Sequence, residues 1–316
     1  IIVIFPKPFE EIRNVLKKIY EDYVDELRTR KVLYGPVNKI ILIELQKKIS
    51  NTLSRNYKNF SYMHAASACA QAIKIQHALE LLETQTLQSF HTYLKKLTEE
   101  AAKAKSKGVV KLVNKPEFNF AYLRTRELIE KGMEHPKLTE VMRIVEREKS
   151  ENKNTKIIVF AQFRETGSII AKKLNELKEL DIKAKVFVGQ AKKTRVEGKN
   201  SVTTGLSQKE QQEIIKEFSE NKINVLCATS IGEEGLDLPE VNAVIFYEPV
   251  PSAIRKIQRA GRTARLMKGK LIMLITKGTR DEAFYYAARS KEKKMHSAIE
   301  SIREELNNKT TNLKED

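Results

Sequence analysis

From Phe9 onward, apolar residues recur at helical spacing: Phe9, Ile12, Leu16, Ile19, Tyr20, Tyr23 and Leu27. Positions three and four apart share one face of an α-helix, so the pattern predicts a first helix of about six turns. Pro6 and Pro8 suit its start, and it closes near Gly35-Pro36. Val37, Ile40, Ile41, Leu45, Ile49 and Leu53 predict a second helix. From about Phe60 to Lys105 there is neither Gly nor Pro, which predicts one long helix, straight or bent, or two. Val109–Val113 is a short apolar break, and further helices are predicted over Pro116–Gly132 and Pro136–Ser150. The Leu, Ile and Tyr stripes of these helices are candidate core. Ile1–Phe5 has the composition of a strand or a lead-in segment.

Past the polar stretch Glu151–Thr155 the pattern changes to strand and helix in alternation. Short apolar runs predict strands at Lys156–Ala161, Ala184–Val188, Asn224–Ala228, Ala243–Tyr247 and Lys270–Ile275. Helices are predicted at Thr166–Leu177, Ser207–Glu220, Ala253–Arg262 and from Arg280 to at least Lys294. Such alternation implies an α/β domain with a parallel sheet, whose ligands sit at the carboxyl ends of the strands. Two domains are therefore expected: an all-α one over residues 1–150 and an α/β one over 151–316. Gln190–Thr204 carries Lys192, Lys193, Arg195 and Lys199 against Glu197 alone, and is expected to be a basic, solvated loop.

The composition adds a strong charge bias. Net charge is +17 over 316 residues. Residues 1–150 hold 27 Lys and Arg against 18 Asp and Glu, and residues 151–316 hold 31 against 23, so both parts could face a polyanion. No apolar run approaches a membrane span. The opening residues are too short an apolar run for a signal peptide. The chain opens without Met, which we take as the mark of a piece cut from something longer. Cys69 and Cys227 cannot build a disulfide framework. The five His residues are scattered, with no Cys or His partner at a ligand spacing, so no metal site is expected.

The candidate chemistry gathers around QRAGRTAR, Gln258 to Arg265, where three arginines stand at i, i+3 and i+6. A guanidinium is always charged and offers a rigid fork of donors suited to phosphate. Before it come IIVFAQFRET (157–166), GLSQKEQQEIIKEF (205–218) and ATSIGEEGLD (228–237). In this order the four stretches resemble motifs IV, IVa, V and VI of superfamily 2 helicases, over about residues 155–296. FVGQA (187–191), GEEGLDLPEV (232–241), FYEPVPSAIRKIQR (246–259), KGTRDEA (277–283) and HPKL (135–138) are similar to the archaeal Hef and Fanconi M branched-DNA translocases. Ala264 departs from the glycine usual there.

This resemblance implies a RecA-like second motor lobe preceded by a helical insertion domain that grips duplex or branched DNA. It implies that Arg262 and Arg265 act as arginine fingers on ATP, that Gln258 and Arg259 order the phosphates and fingers, and that Asp237, with Gly235 leaving room, takes the ribose hydroxyls. Gln162, Arg164, Gly205, Thr229 and Ser230 match positions that hold a nucleic-acid backbone, which amides, hydroxyls and Arg do without reading bases. ATP with Mg²⁺ is the implied cofactor, its metal held mainly by a first RecA-like lobe. Branched DNA and that lobe are the implied partners. A nuclease domain after Asp316 and self-association remain open. The implied location is cytoplasmic in an archaeon or nuclear in a eukaryote.

These 316 residues contain no GxxxxGK[ST] loop to cradle phosphates and no Asp-Glu-x-His box. The chain alone is thus expected to be inactive as an ATPase. Two other functions fit the same residues: a motor on double-stranded RNA of the RIG-I or Dicer type, and a non-catalytic DNA-binding module that keeps the lobe fold.

Overall fold

A computed structural model describes the chain except residues 56–58, 105, 178–179, 190–194, 198–199, 203–204, 230–239, 250–268, 288 and 291–316; residues 195–197 and 200–202 are described by their backbone alone. It divides into two compact units, Phe5–Pro136 and Ile1–Ile4 with Lys137–Asp316.

The first unit is helical: α1 (Lys7–Thr29), α2 (Lys39–Arg55), α3 (Phe60–Thr84), α4 (Leu87–Ala102), α5 (Lys107–Val113) and α6 (Pro116–Glu130). Helix α1 buries Phe9, Ile12, Leu16, Ile19, Tyr23 and Leu27, the expected stripe with Tyr20 at its half-buried margin. In α2 the buried face is Leu42, Leu45 and Ile49, while Ile40 is 68% exposed; the inward stripe starts one residue after Ile41. The stretch from Phe60 is two helices, broken at Gln85 and Thr86, where the Thr86 hydroxyl accepts the Ser89 N–H at 3.1 Å and caps α4. Val109–Val113 lies in a short helix rather than a break. A Cβ on Gly108 would stand 2.6 Å from both Gln71 Nε2 and Ser67 Oγ, so this glycine lets α5 lie close on α3.

Helix α3 is the axis of this unit, packing against α1, α2, α4 and α5. Its last two turns are buried nearly all round, Glu80 and Glu83 included. Glu80 pairs with Lys39 at 2.5 Å and with His77 at 3.5 Å.

The second unit begins with α7 (Pro136–Glu151) and continues as β2 (Ile157–Phe160), α8 (Arg164–Asn175), β3 (Ala184–Phe187), a β4–β5 hairpin (Arg195–Glu197, Asn200–Val202), α9 (Gln208–Ser219), β6 (Val225–Ala228), β7 (Ala243–Phe246), β8 (Lys270–Met273) and β9 (Ile275–Thr276). A last described helix covers 280–287. The helix predicted at Ala253–Arg262 lies outside the described residues. The hairpin stands where a loop was expected, with β4 and β5 antiparallel.

Five strands form a parallel sheet in the order β3-β6-β2-β7-β8. Its central strands are buried on both faces, as a parallel sheet requires. Ile157, Val159, Val225, Cys227, Ala243 and Ile245 face one core with α7 and α8. Ile158, Phe160, Leu226, Ala228, Val244 and Phe246 face the other with Ile214 and Phe218 of α9.

The division at Pro136/Lys137 falls before the expected 150/151, because the stripe Leu138, Val141, Ile144 and Val145 of α7 belongs to the sheet core. Ile1–Ile4 joins the same unit through β1 (Ile2–Val3), which pairs in parallel with β9. Among the described residues no helix is long and apolar enough to cross a membrane.

Candidate functional site

The sheet ends on one row. Phe187, Ala228, Phe160, Phe246 and Met273 are register partners at the carboxyl ends of β3, β6, β2, β7 and β8. One further set of backbone bonds closes this edge: Thr229 N–H to Phe187 O (3.1 Å), Ala161 N–H to Ala228 O (3.0 Å), Tyr247 N–H to Phe160 O (2.9 Å) and Leu274 N–H to Phe246 O (2.9 Å).

The described site candidates stand just beyond the row. Gln162 and Arg164, both exposed, occupy the turn from β2 into α8. Thr229 follows β6 directly and is 7% exposed. Gly205 precedes α9, whose start carries a capping box between Ser207 and Glu210. The Gln211 amide, one turn on, donates to Val188 O at 2.8 Å and ties α9 to the end of β3. The fold thus brings Gln162, Arg164 and Thr229 to a single edge and holds the approach to α9 beside it. Phe163 at the N-cap of α8 makes no side-chain cap bond, and the first turn of a helix favours an anion. Ser230, Gly235, Asp237, Gln258, Arg259, Arg262 and Arg265 lie outside the described residues.

Glu248 is an acid that sequence reading passed over. It sits two residues past β7, is 7% exposed, and its Oε1 accepts the backbone N–H of Gln162. The one signal for it was its place, an acid directly after an apolar strand run. Cys227, within β6, has its thiol pushed up to about 12 by burial and serves packing rather than nucleophilic chemistry. Both cysteines are free and buried. Among the described residues no three His, Cys, Asp or Glu side chains converge on a metal position.

A second charged cluster lies inside the sheet unit. Lys137 Nζ is 2.7 Å from Asp281 Oδ2, with both side chains fully buried. The ammonium stands 4.8 Å from the ring centroid of Tyr247, and the same Oδ2 accepts Thr276 N–H at 3.1 Å. HPKL, FYEPVP and KGTRDEA, far apart in sequence, therefore meet at one buried ion pair. They join the start of α7, the end of β7 and the helix over 280–287.

Comparison with known proteins agrees with this architecture. Residues 136–267 match the helicase conserved C-terminal domain family. Residues 8–130 match a family described as the helical bundle of an ATP-dependent RNA helicase, an assignment provisional in that description. The helicase domain of Pyrococcus furiosus Hef superposes with a TM-score of 0.75 at 37% identity, covering 91% of this chain and 57% of that one. The Fanconi anemia group M protein homolog of Mus musculus is 30% identical over 227 residues, 72% of this chain and 11% of its own. The chain belongs to the superfamily 2 helicases of the Hef and Fanconi M type.

Its sheet unit accordingly has the RecA-like fold of the helicase C-terminal domain, preceded in this chain by a helical region. A protein of Methanocaldococcus jannaschii provisionally named an ATP-dependent RNA helicase is 39% identical over 298 residues. That match covers 92% of this Hef-type chain and 35% of the relative. The chain thus spans about a third or less of the curated relatives named here.

Proposed function

We propose that this chain supplies the helical insertion domain and second motor lobe of an ATP-dependent helicase or translocase acting on branched DNA. The observation that carries the reading is the strand-end row, past which Gln162, Arg164 and Thr229 stand together on a fold shared with Hef. In this reading those residues, with Gly205 and Ser230, hold a nucleic-acid backbone by amides, two hydroxyls and a guanidinium. Binding is then salt-sensitive and indifferent to sequence.

The nucleotide lies between this lobe and a first RecA-like lobe that holds most of the Mg²⁺ coordination. Asp237 and Gly235 take the ribose, Gln258 and Arg259 order the phosphates, and Arg262 and Arg265 stabilise charge on the transferring phosphoryl group. In a protein carrying both lobes, Arg262→Ala lowers DNA-stimulated ATP hydrolysis by about a thousandfold or more and leaves binding to forked DNA unchanged. Undiminished hydrolysis would favour a non-catalytic binding module. The chain on its own hydrolyses ATP negligibly, because its residues offer no phosphate-cradling loop.

A motor on duplex RNA is the second reading, favoured by the RNA helicase names of one relative and of the helical-bundle family. Competition between forked DNA and duplex RNA at one salt concentration separates the two. Preference for the RNA would sink the DNA reading.

A further inference from the structure

We infer that Glu248 is a positioning residue of the strand-end edge: its carboxylate fixes the turn that presents Gln162 and Arg164 to a nucleic-acid backbone. The inference rests on the reading of that edge given above.

The ladder itself leaves this turn unsecured. The Ala161 N–H goes to Ala228 O, and the Tyr247 N–H to Phe160 O, after which β2 has, among the described residues, no further ladder partner for the Gln162 N–H. Glu248 supplies one. β7 is the neighbour of β2, and its end partner Phe246 lies opposite Phe160, so a side chain two residues on can span the gap between the strand ends. Pro249 follows it and restricts the Glu248 backbone. A buried carboxylate is costly unless it accepts hydrogen bonds, and the Gln162 amide supplies one at Oε1. The acid also stands where an anionic strand would pass. Its burial and its bond to the amide keep it from facing phosphate, while Gln162 and Arg164 remain exposed. Glu248 therefore acts through the turn and not by contact.

The test uses the whole 316-residue chain and labelled forked DNA, with affinity followed across a salt series. Glu248→Ala is expected to weaken binding by about three- to tenfold, the effect of one charge-assisted hydrogen bond shared between ordering and contact. The slope of log affinity against log salt should fall by about one, as in Arg164→Ala, because the same phosphate contact is lost. Glu248→Gln, whose amide oxygen still accepts from Gln162, should restore most of the affinity. Glu248→Ala combined with Arg164→Ala should lose less than the two single losses together, the remainder beyond Arg164→Ala being the contact of Gln162.

Wild-type affinity and slope in Glu248→Ala would overturn the inference, as would a Gln variant as weak as the Ala one, or fully additive losses. Amide exchange in the unmodified chain is an independent check that no folding defect can cloud: the Gln162 amide must be protected, and rapid exchange there overturns the role. If Arg164→Ala itself binds like wild type, the reading of the edge falls and takes the inference with it. If Arg164→Ala weakens binding and Glu248→Ala does not, the inference alone fails.

Discussion

Glu80 shows how one buried group can tie the helical unit to pH. Burial alone would raise its pKa, yet hydrogen bonds from His77 and Lys39, with the charge of Lys39, more than reverse this and hold the carboxyl at about 2. An unfolded Glu binds its proton more readily, near 4.5. The depressed folded value therefore contributes stability in full above about pH 5, lost as pH falls toward 2. The difference in unfolding free energy between the wild type and Glu80→Gln should shrink by the order of 3 kcal/mol across that window. Chemical denaturation at stepped pH measures it, and a difference constant from pH 6 to 2 would refute the assignment. The pair Lys39 and Glu80 was not legible in sequence, since forty-one positions separate its members and only the packing of α2 on α3 joins them.

At the scale of elements, the buried ion pair of Lys137 and Asp281 joins α7 to the helix over 280–287 and, through Thr276, to β9. Lys137 is the second residue of α7, where the helix dipole disfavours a cation, so Asp281 and the Tyr247 ring supply what the helix does not. Removing one partner leaves a charge buried without its counter-ion. Lys137→Met should cost about 3–5 kcal/mol, and the double variant Lys137→Met with Asp281→Leu should recover most of it. Urea unfolding of the two variants decides the matter; equal losses in both would sink the account. Element type was well marked in the sequence wherever the apolar period was long, as in α1. It failed where tertiary contact set the outcome: α5 forms from an apolar stretch too short to show a period, and the stripe of α2 turns inward at Leu42 because α3 lies on that side.

For the molecule as a whole, the division into Phe5–Pro136 and the sheet unit has a practical consequence. The helical unit holds its own core around α3, with Phe9, Ile12, Phe90 and Phe118 fully buried. Residues 5–136 expressed alone should give a helical circular dichroism spectrum and a cooperative thermal transition. A broad, non-cooperative melt would mean that this unit depends on the rest of the chain.

The sequence by itself determined the two kinds of architecture, because a period of 3.6 and an alternation of short apolar runs with amphipathic stretches leave few other solutions. It also placed the family, because the motif residues and their order are properties of the chain. Tertiary structure alone decided that α7 joins the sheet, that five strand ends share one row, and that Glu248 reaches the amide of Gln162. These depend on which surfaces find each other, and residues 86 positions apart carry no local pattern that announces their meeting.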